Sequence, residues 1–216
     1  MSKRTHDTHK YYYEYRALYT LEHLFPEKFR SLMHSDSPDL VTSDNSIGIE
    51  VVRAVSNKNE QAFAFFEKEL KGKRVDEVPQ NKLNRFTETN LPLVYEDKIF
   101  GFSPVCGVWH NTRLLQHAVA SKVKKLDGYS GRASKLELYV FTDTFEDYEV
   151  DEIKQLVEIL KAAQHSSEFQ FTTLYVDDCG WFYQCDLLND KIEFFETKSY
   201  LRSICQSAKD AATIGG

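Results

Sequence analysis

The sequence has no long apolar run and contains little glycine or proline. Of its 216 residues, 9 are glycine and 5 are proline, which is too few for long disordered linkers. A membrane-spanning helix needs about 20 consecutive apolar residues, and no segment comes near that length. The first residues also lack the apolar stretch of a signal peptide. We therefore expect a cytoplasmic protein without a membrane partner.

Cysteine is also scarce, and its spacing is not that of a zinc site. The chain has Cys106, Cys179, Cys185 and Cys205, and no two of them form a Cys-x-x-Cys pair. Structural zinc sites usually need two such pairs, and disulfide frameworks belong mainly to short exported chains. We expect four reduced thiols, most of them small core residues.

Positive charge is in deficit. The chain has 27 Lys and Arg against 33 Asp and Glu, a net charge of -6, whereas proteins that coat nucleic acid are usually basic overall. This balance does not exclude a nuclease, because a metal site is itself acidic and binding depends on where the charge lies. The sequence has no Gly-rich phosphate loop, no Gly-x-Ser-x-Gly motif and no Rossmann fingerprint, so these common enzyme classes are not indicated.

The chain does contain alternating helical and strand patterns. Its 42% hydrophobic and 28% charged residues are typical of a globular protein. Apolar spacing predicts a helix over 8–25, a short second helical piece to 34, and a hairpin of strands 39–42 and 47–54. Further helices are predicted over 57–72, 111–127, 150–163 and 198–209, and further strands over 135–142, 169–176, 181–187 and 192–195. We expect a single α/β domain, 1–216, with a mixed central sheet flanked by helices.

Two carboxylates fall on the neighbouring strands of the predicted hairpin. Asp39 begins the first strand and Glu50 lies inside the second. Such a pair can hold one hard divalent cation, which activates a water and neutralises charge on a phosphate. Because Glu50 has apolar neighbours in a strand that looks buried, its charge would be costly unless it is paired or bound to a metal.

The segments 37–41 (Ser-Pro-Asp-Leu-Val) and 47–52 (Ile-Gly-Ile-Glu-Val-Val) resemble the PD-(D/E)xK, or restriction-endonuclease-like, nuclease superfamily. A later helix and strand continue the likeness, which covers about 10–55 and 111–142. The resemblance implies a restriction-endonuclease-like core, an insertion or lid over about 73–110, and a C-terminal elaboration over about 143–216.

The resemblance also implies a function. It indicates hydrolysis of nucleic-acid phosphodiester bonds with Mg²⁺ or Mn²⁺ held by Asp39 and Glu50. Nucleic acid is then the expected partner, and DNA is favoured over RNA by the resemblance alone. Nucleases that cut duplex DNA often act as dimers, so a homodimer is a further expectation.

The chain departs from the superfamily at the lysine that should follow the glutamate by two residues. Val52 stands there, and the neighbouring cation, Arg53, points to the opposite face of the strand. Either another element supplies the lysine, or the site has lost catalysis. The second alternative is a catalytically inactive module on the same fold that binds nucleic acid or a protein partner.

Helical periodicity supplies a candidate for the missing lysine. Lys122 lies near the centre of the apolar stripe of the 111–127 helix, from which it could reach back to the carboxylates. The same criterion selects Glu14 on the first helix, where the superfamily often adds an acidic residue. The predicted catalytic residues are therefore Asp39, Glu50, Lys122 and Glu14.

Each of these residues also has a purely structural explanation. Asp39 could serve only as a strand-start residue, Glu50 as one half of an ion pair with Lys122, and Glu14 as a partner of the helix dipole. Lys122 could instead extend along its aliphatic stem to the surface.

A basic patch follows the predicted helix. Lys124, Lys125 and Arg132 could follow a phosphate backbone and are the predicted nucleic-acid contacts. A charged, solvated face is the ordinary alternative for such a cluster.

Overall fold

The computed structural model describes residues 3–55, 61–62, 64–89, 93–102, 112–129, 131–142, 148–178 and 180–214. The chain divides into two compact units, Met1–Ala54 with Thr112–Gly216, and Val55–Asn111. The expected insertion, 73–110, falls within the second unit, which begins earlier than the sequence suggested. The expectation of one domain over all 216 residues stays a prediction.

Helices and strands alternate along the chain. The helices are α1 (Lys3–Leu24), α2 (Pro26–Phe29), α3 (Gln80–Thr87), α4 (Thr112–Val123), α5 (Val150–Gln164) and α6 (Lys198–Ile214). The strands are β1 (Leu32–His34), β2 (Leu40–Thr42), β3 (Ile47–Arg53), β4 (Leu93–Tyr95), β5 (Ile99–Phe102), β6 (Lys135–Phe141), β7 (Phe171–Asp177), β8 (Trp181–Asp186) and β9 (Lys191–Glu196).

The first unit contains a seven-stranded mixed sheet in the order β1-β2-β3-β6-β7-β8-β9. The three strands at one edge pair antiparallel, β3, β6 and β7 run parallel, and β8 and β9 return antiparallel. Helices flank this sheet, so the predicted fold class is confirmed. Assignment of its core to the restriction-endonuclease-like type stays a prediction.

The two faces of the sheet bury different side chains because neighbours on a strand point to opposite sides. Leu138 and Val140 join an apolar core with residues of α4 and α5, including Val119 and Leu160. The opposite face is aromatic, and its contacts include Phe25 against Tyr175, Phe29 against Tyr175 and Tyr13 against Phe141. Residues of α1 and α2 cover this second face.

One predicted element of the first unit is wrong. The helical piece expected to run to residue 34 ends at Phe29, and Leu32–His34 form the edge strand β1. Leu32 pairs with Thr42 and His34 with Leu40, so pairing with β2 overrides the local helical pattern. The predicted hairpin of β2 and β3 is confirmed.

The second unit has a small apolar cluster of its own. A π-helical turn, Phe66–Leu70, precedes a short 3₁₀ turn and α3, and β4 pairs antiparallel with β5. Its buried side chains are Ala62, Phe66, Leu70, Val78, Phe86 and Ile99.

Two smaller expectations concern thiols and membrane spans. Cys185 and Cys205 are free thiols, whereas Cys106 and Cys179 lie outside the described residues. Among the helices of the described ranges, none combines the length and apolar character required to cross a membrane.

Candidate metal centre and its lysines

The β2–β3 hairpin fixes the two predicted metal-binding carboxylates. Leu40 pairs with Ile49, which places Asp39, the residue before β2, opposite Glu50 on β3. The backbone N–H of Val51 donates a 2.8 Å hydrogen bond to Oδ2 of Asp39. Both acids are buried, with Asp39 5% and Glu50 6% exposed, so the hairpin holds two negative charges away from water.

A glycine lets the loop before Asp39 approach this hairpin. A Cβ atom on Gly48 would lie 2.5 Å from Cγ of Pro38 and 2.9 Å from Cβ of Ala133, both far closer than carbon atoms normally pack. Because of these contacts, any side chain at position 48 would displace Pro38 and, with it, the neighbouring Asp39. The peptide bond between Ser37 and Pro38 is cis.

Lys122 reaches the two carboxylates from α4, as the helical pattern predicted. Its ammonium donates a hydrogen bond to Oε1 of Glu50 and lies 4.0 Å from Oδ2 of Asp39. Only 13% of its side chain is exposed. Tyr129 is buried beside them and hydrogen-bonds to Glu50, and its pKa is raised first by burial and then by that carboxylate.

Glu14 reaches the same place from α1. Its side chain is 3% exposed and accepts a hydrogen bond from Nε2 of His34 on β1. The ammonium of Lys10 lies 3.1 Å from Oε1 of Glu14 and 3.6 Å from Oδ1 of Asp39. Glu14, Asp39 and Glu50, which we call the carboxylate cluster, are thus linked by two lysines, and all four predicted catalytic residues come together.

The surroundings of Asp39 in the carboxylate cluster disfavour its ionised form. Burial, and after it the negative charge of Glu50, raises the pKa of Asp39 to about 7, against the opposing effects of Lys122 and the Val51 N–H. Burial also raises the pKa of Glu14, but hydrogen bonds from His34 and Lys10 outweigh it, so this pKa lies below its ordinary value. Burial and the charge of Glu50 thus favour the neutral form of Asp39 despite the two neighbouring lysines.

The donor atoms of the carboxylate cluster fit a hard cation. Carboxylate oxygens are the ligands that Mg²⁺ and Mn²⁺ prefer, and a bound cation would favour the ionised form of Asp39, whose pKa burial and Glu50 raise. Within the described residues, however, no three His, Cys, Asp or Glu side chains are grouped as a ready metal site. The ammonium groups of Lys10 and Lys122 lie between the carboxylates instead.

The predicted nucleic-acid contacts lie outside the carboxylate cluster. Lys124 and Lys125 are exposed just after α4. Arg132 is also exposed, and its Nη1 donates a 2.9 Å hydrogen bond to the carbonyl oxygen of Ser37, two residues before Asp39. Of the three, Arg132 is therefore the one tied to the loop that carries a site residue.

Neither Val52 nor its neighbour Arg53 contributes to the site. Val52 packs against the apolar core beside α4. The guanidinium of Arg53 lies 4.0 Å from the ring centre of Tyr13 on α1, on the face of β3 opposite to Glu50. The lysine that contacts Glu50 is Lys122 on α4.

Sequence reasoning missed three residues of this site: Lys10, His34 and Tyr129. A signal was available for Lys10, because residues four apart share a helix face and Lys10 precedes Glu14 by four. His34 was hidden because its segment was predicted to be helical, and Tyr129 because it follows the end of α4.

No protein-family model, no curated protein and no solved structure matches the chain.

Proposed function

We propose that this protein is a divalent-metal-dependent nuclease that hydrolyses phosphodiester bonds, with DNA as the first substrate to test. One observation carries the proposal: Glu14, Glu50 and Lys122, on three different elements, and Asp39, directly before β2, converge at one largely buried place. Burying so many charges together is costly for the fold, and perturbed, crowded acids of this kind are typical of functional sites.

In this proposal Asp39 and Glu50 hold Mg²⁺ or Mn²⁺, and Glu14 supports the metal or its water. Such a cation makes bound water a better nucleophile at neutral pH and neutralises charge on the phosphate. The Val51 N–H orients Asp39 through Oδ2, which leaves Oδ1 for a cation. Tyr129 similarly restrains Glu50.

Lys122 supplies positive charge beside the reacting phosphate. Its ammonium is held by Glu50 and is largely shielded from water, so it can orient the attacking water or stabilise charge that develops on phosphate oxygens. In the reaction, water adds to phosphorus, the bridging P–O bond breaks, and the products are a phosphate monoester and a free hydroxyl. Lys124, Lys125 and Arg132 would contact the backbone further along the strand.

The test is a cleavage assay on single- and double-stranded DNA and RNA with Mg²⁺ or Mn²⁺. Wild type and Asp39→Ala are purified in parallel, and a chelator control accompanies each. We expect metal-dependent cutting by wild type that the substitution removes. Cutting that survives in Asp39→Ala would assign the activity to another site or to a contaminant.

The second candidate is a catalytically inactive module on the same fold. Two observations favour it: Val52 stands at the usual lysine position, and both lysines already form ion pairs with the carboxylates. Gel-shift binding of nucleic acid without cutting of any substrate would support this alternative.

Sedimentation with and without duplex DNA tests the proposed homodimer.

A further inference from the structure

Lys10 occupies a position that suits a cation. Its ammonium lies between two carboxylates, 3.1 Å from Glu14 and 3.6 Å from Asp39. Both of these acids are buried, with side chains 3% and 7% exposed. Asp39 is also a proposed metal ligand, so the Lys10 ammonium competes with a divalent ion for this buried carboxylate.

The two lysines of the site differ in how easily they can leave. The Lys10 side chain is 52% exposed, whereas that of Lys122 is 13% exposed. An exposed ammonium on a flexible four-carbon stem gains little from an ion pair, because water solvates it nearly as well. Lys10 is therefore the cation that a divalent ion can displace, and Lys122 is the one that stays.

A displaced Lys10 would not move far. Its backbone is fixed in α1, one turn before Glu14, so its ammonium stays within the length of one side chain of the carboxylate cluster. A mobile ammonium at the opening of a nuclease site is suited to bind a phosphate oxygen of the substrate.

We propose that Lys10 exchanges partners: without metal it neutralises Glu14 and Asp39, and with metal bound it is released to contact a phosphate of the nucleic acid. This inference rests on the proposed function, because it assigns a second role at the same site. It makes Lys10 a residue that weakens metal binding and strengthens substrate binding.

The test compares Lys10→Met with wild type by two binding measurements at about pH 8, where Asp39 is ionised. Calorimetry with Mn²⁺ should show about 3- to 10-fold tighter binding in the variant, because a competing charge is gone. Fluorescence anisotropy with a non-cleavable phosphorothioate DNA and saturating Mn²⁺ should show weaker binding, with the salt dependence reduced by about one phosphate contact.

Two further variants serve as controls. Lys71→Met removes the same charge from another half-exposed lysine in an i, i+4 ion pair, with Glu67 in the second unit, and should change neither affinity. Lys10→Arg keeps the charge and should bind Mn²⁺ no more tightly than wild type. Circular dichroism confirms that each variant is folded.

The outcomes separate this inference from the proposed function. If wild type binds Mn²⁺ and Lys10→Met binds it equally or more weakly, the exchange by Lys10 is overturned while the nuclease proposal stands. If the variant binds Mn²⁺ more tightly but binds DNA as wild type does, the phosphate contact is overturned. If wild type binds no Mn²⁺ at all, both proposals fall together.

Discussion

Two groups of buried acids in the first unit are built in different ways. In the carboxylate cluster three acids share two lysines, and the pKa of Asp39 rises to about 7 because burial and Glu50 both oppose its ionisation. The second group lies on the aromatic face of the sheet and consists of Glu137 on β6 and Asp177 on β7, 2% and 1% exposed.

Each acid of the second group has its own cation and its own hydroxyl donors. Glu137 accepts hydrogen bonds from Lys28 at 2.7 Å, from the hydroxyl of Tyr175 at 2.9 Å and from Thr173 at 3.3 Å. Asp177 pairs with Arg16 at 3.1 Å and accepts a 2.7 Å bond from the hydroxyl of Tyr139.

The number of hydrogen-bond donors and cations around each acid distinguishes a structural carboxylate from one that can bind a metal. A buried carboxylate with a full set of donors stabilises its surroundings and has no need of a further cation. Carboxylates that crowd together keep an excess of negative charge, which a metal would relieve. The donors around Glu137 and Asp177 therefore fit a structural role, and the crowding of the carboxylate cluster agrees with its proposed catalytic role.

The largest expected difference between the two groups is in the rate of cleavage after one charge is removed from each. Glu50→Gln should lower metal-dependent cleavage by at least about 1,000-fold, since it removes a metal ligand and the partner of Lys122. Glu137→Gln, corrected for the folded fraction, should keep activity within about 3-fold. Initial cleavage rates of the two proteins make this comparison, and equal losses would break the distinction between the groups.

The next effect concerns stability. Arg16→Met leaves Asp177 buried without its cation, which should lower the free energy of unfolding by about 3–5 kcal/mol. Urea denaturation measures the loss, and cleavage by the remaining folded protein should be unchanged. A loss below about 1 kcal/mol would show that Tyr139 and the other donors suffice, and that the pairing of Asp177 is not structural.

A smaller effect depends on pH. The pKa of Asp39 is raised from 3.8 to about 7, so the metal-free folded state loses stability relative to the unfolded chain as pH rises from about 4 to about 7. Asp39→Asn cannot ionise and avoids this loss. Its stability advantage should be absent below about pH 4 and reach up to about 4 kcal/mol above pH 7, at about 1.4 kcal/mol per unit of pKa.

Urea denaturation of wild type and Asp39→Asn in chelator, at a series of pH values, tests this dependence. An advantage that does not change with pH would contradict the raised pKa of Asp39. Added Mn²⁺ should remove the advantage, because only the wild-type carboxylate gains from the metal.

The smallest effects belong to the exposed cations. Substituting Lys124, Lys125 or Arg132 by Ala should each weaken DNA binding by about 2- to 5-fold and lower the salt dependence by about one phosphate. Arg132→Ala should have the largest effect of the three because Arg132 also supports the loop before Asp39. Anisotropy titrations at several salt concentrations measure both quantities, and unchanged binding would mean that these residues form only a solvated face.

The sequence predicted the main elements of the fold because their patterns are long and periodic. The alternation of β3 and the apolar stripe of α4 each extend over several residues, and both elements form close to where they were expected. The three-residue strand β1 was missed because Leu32–His34 is too short to show alternation. It is a strand only because β2 offers it a partner.

The candidate site was predicted in part for the same reason. Asp39, Glu50, Glu14 and Lys122 interrupt apolar patterns, and an interruption is visible in a sequence. Lys10 does not interrupt an apolar pattern, and in the sequence only its spacing of four residues from Glu14 points to it. Its role depends on its distance from Asp39, which is remote in the chain and is set by how α1 packs on the hairpin.

The most direct test of the central claim is anomalous diffraction from crystals of the full chain soaked in Mn²⁺. We predict one strong peak bound by oxygens of both Asp39 and Glu50, with Lys122 still beside Glu50 and Lys10 displaced from Asp39. Crystals that take up no Mn²⁺ at these carboxylates, with Lys10 and Lys122 still between them, would contradict it.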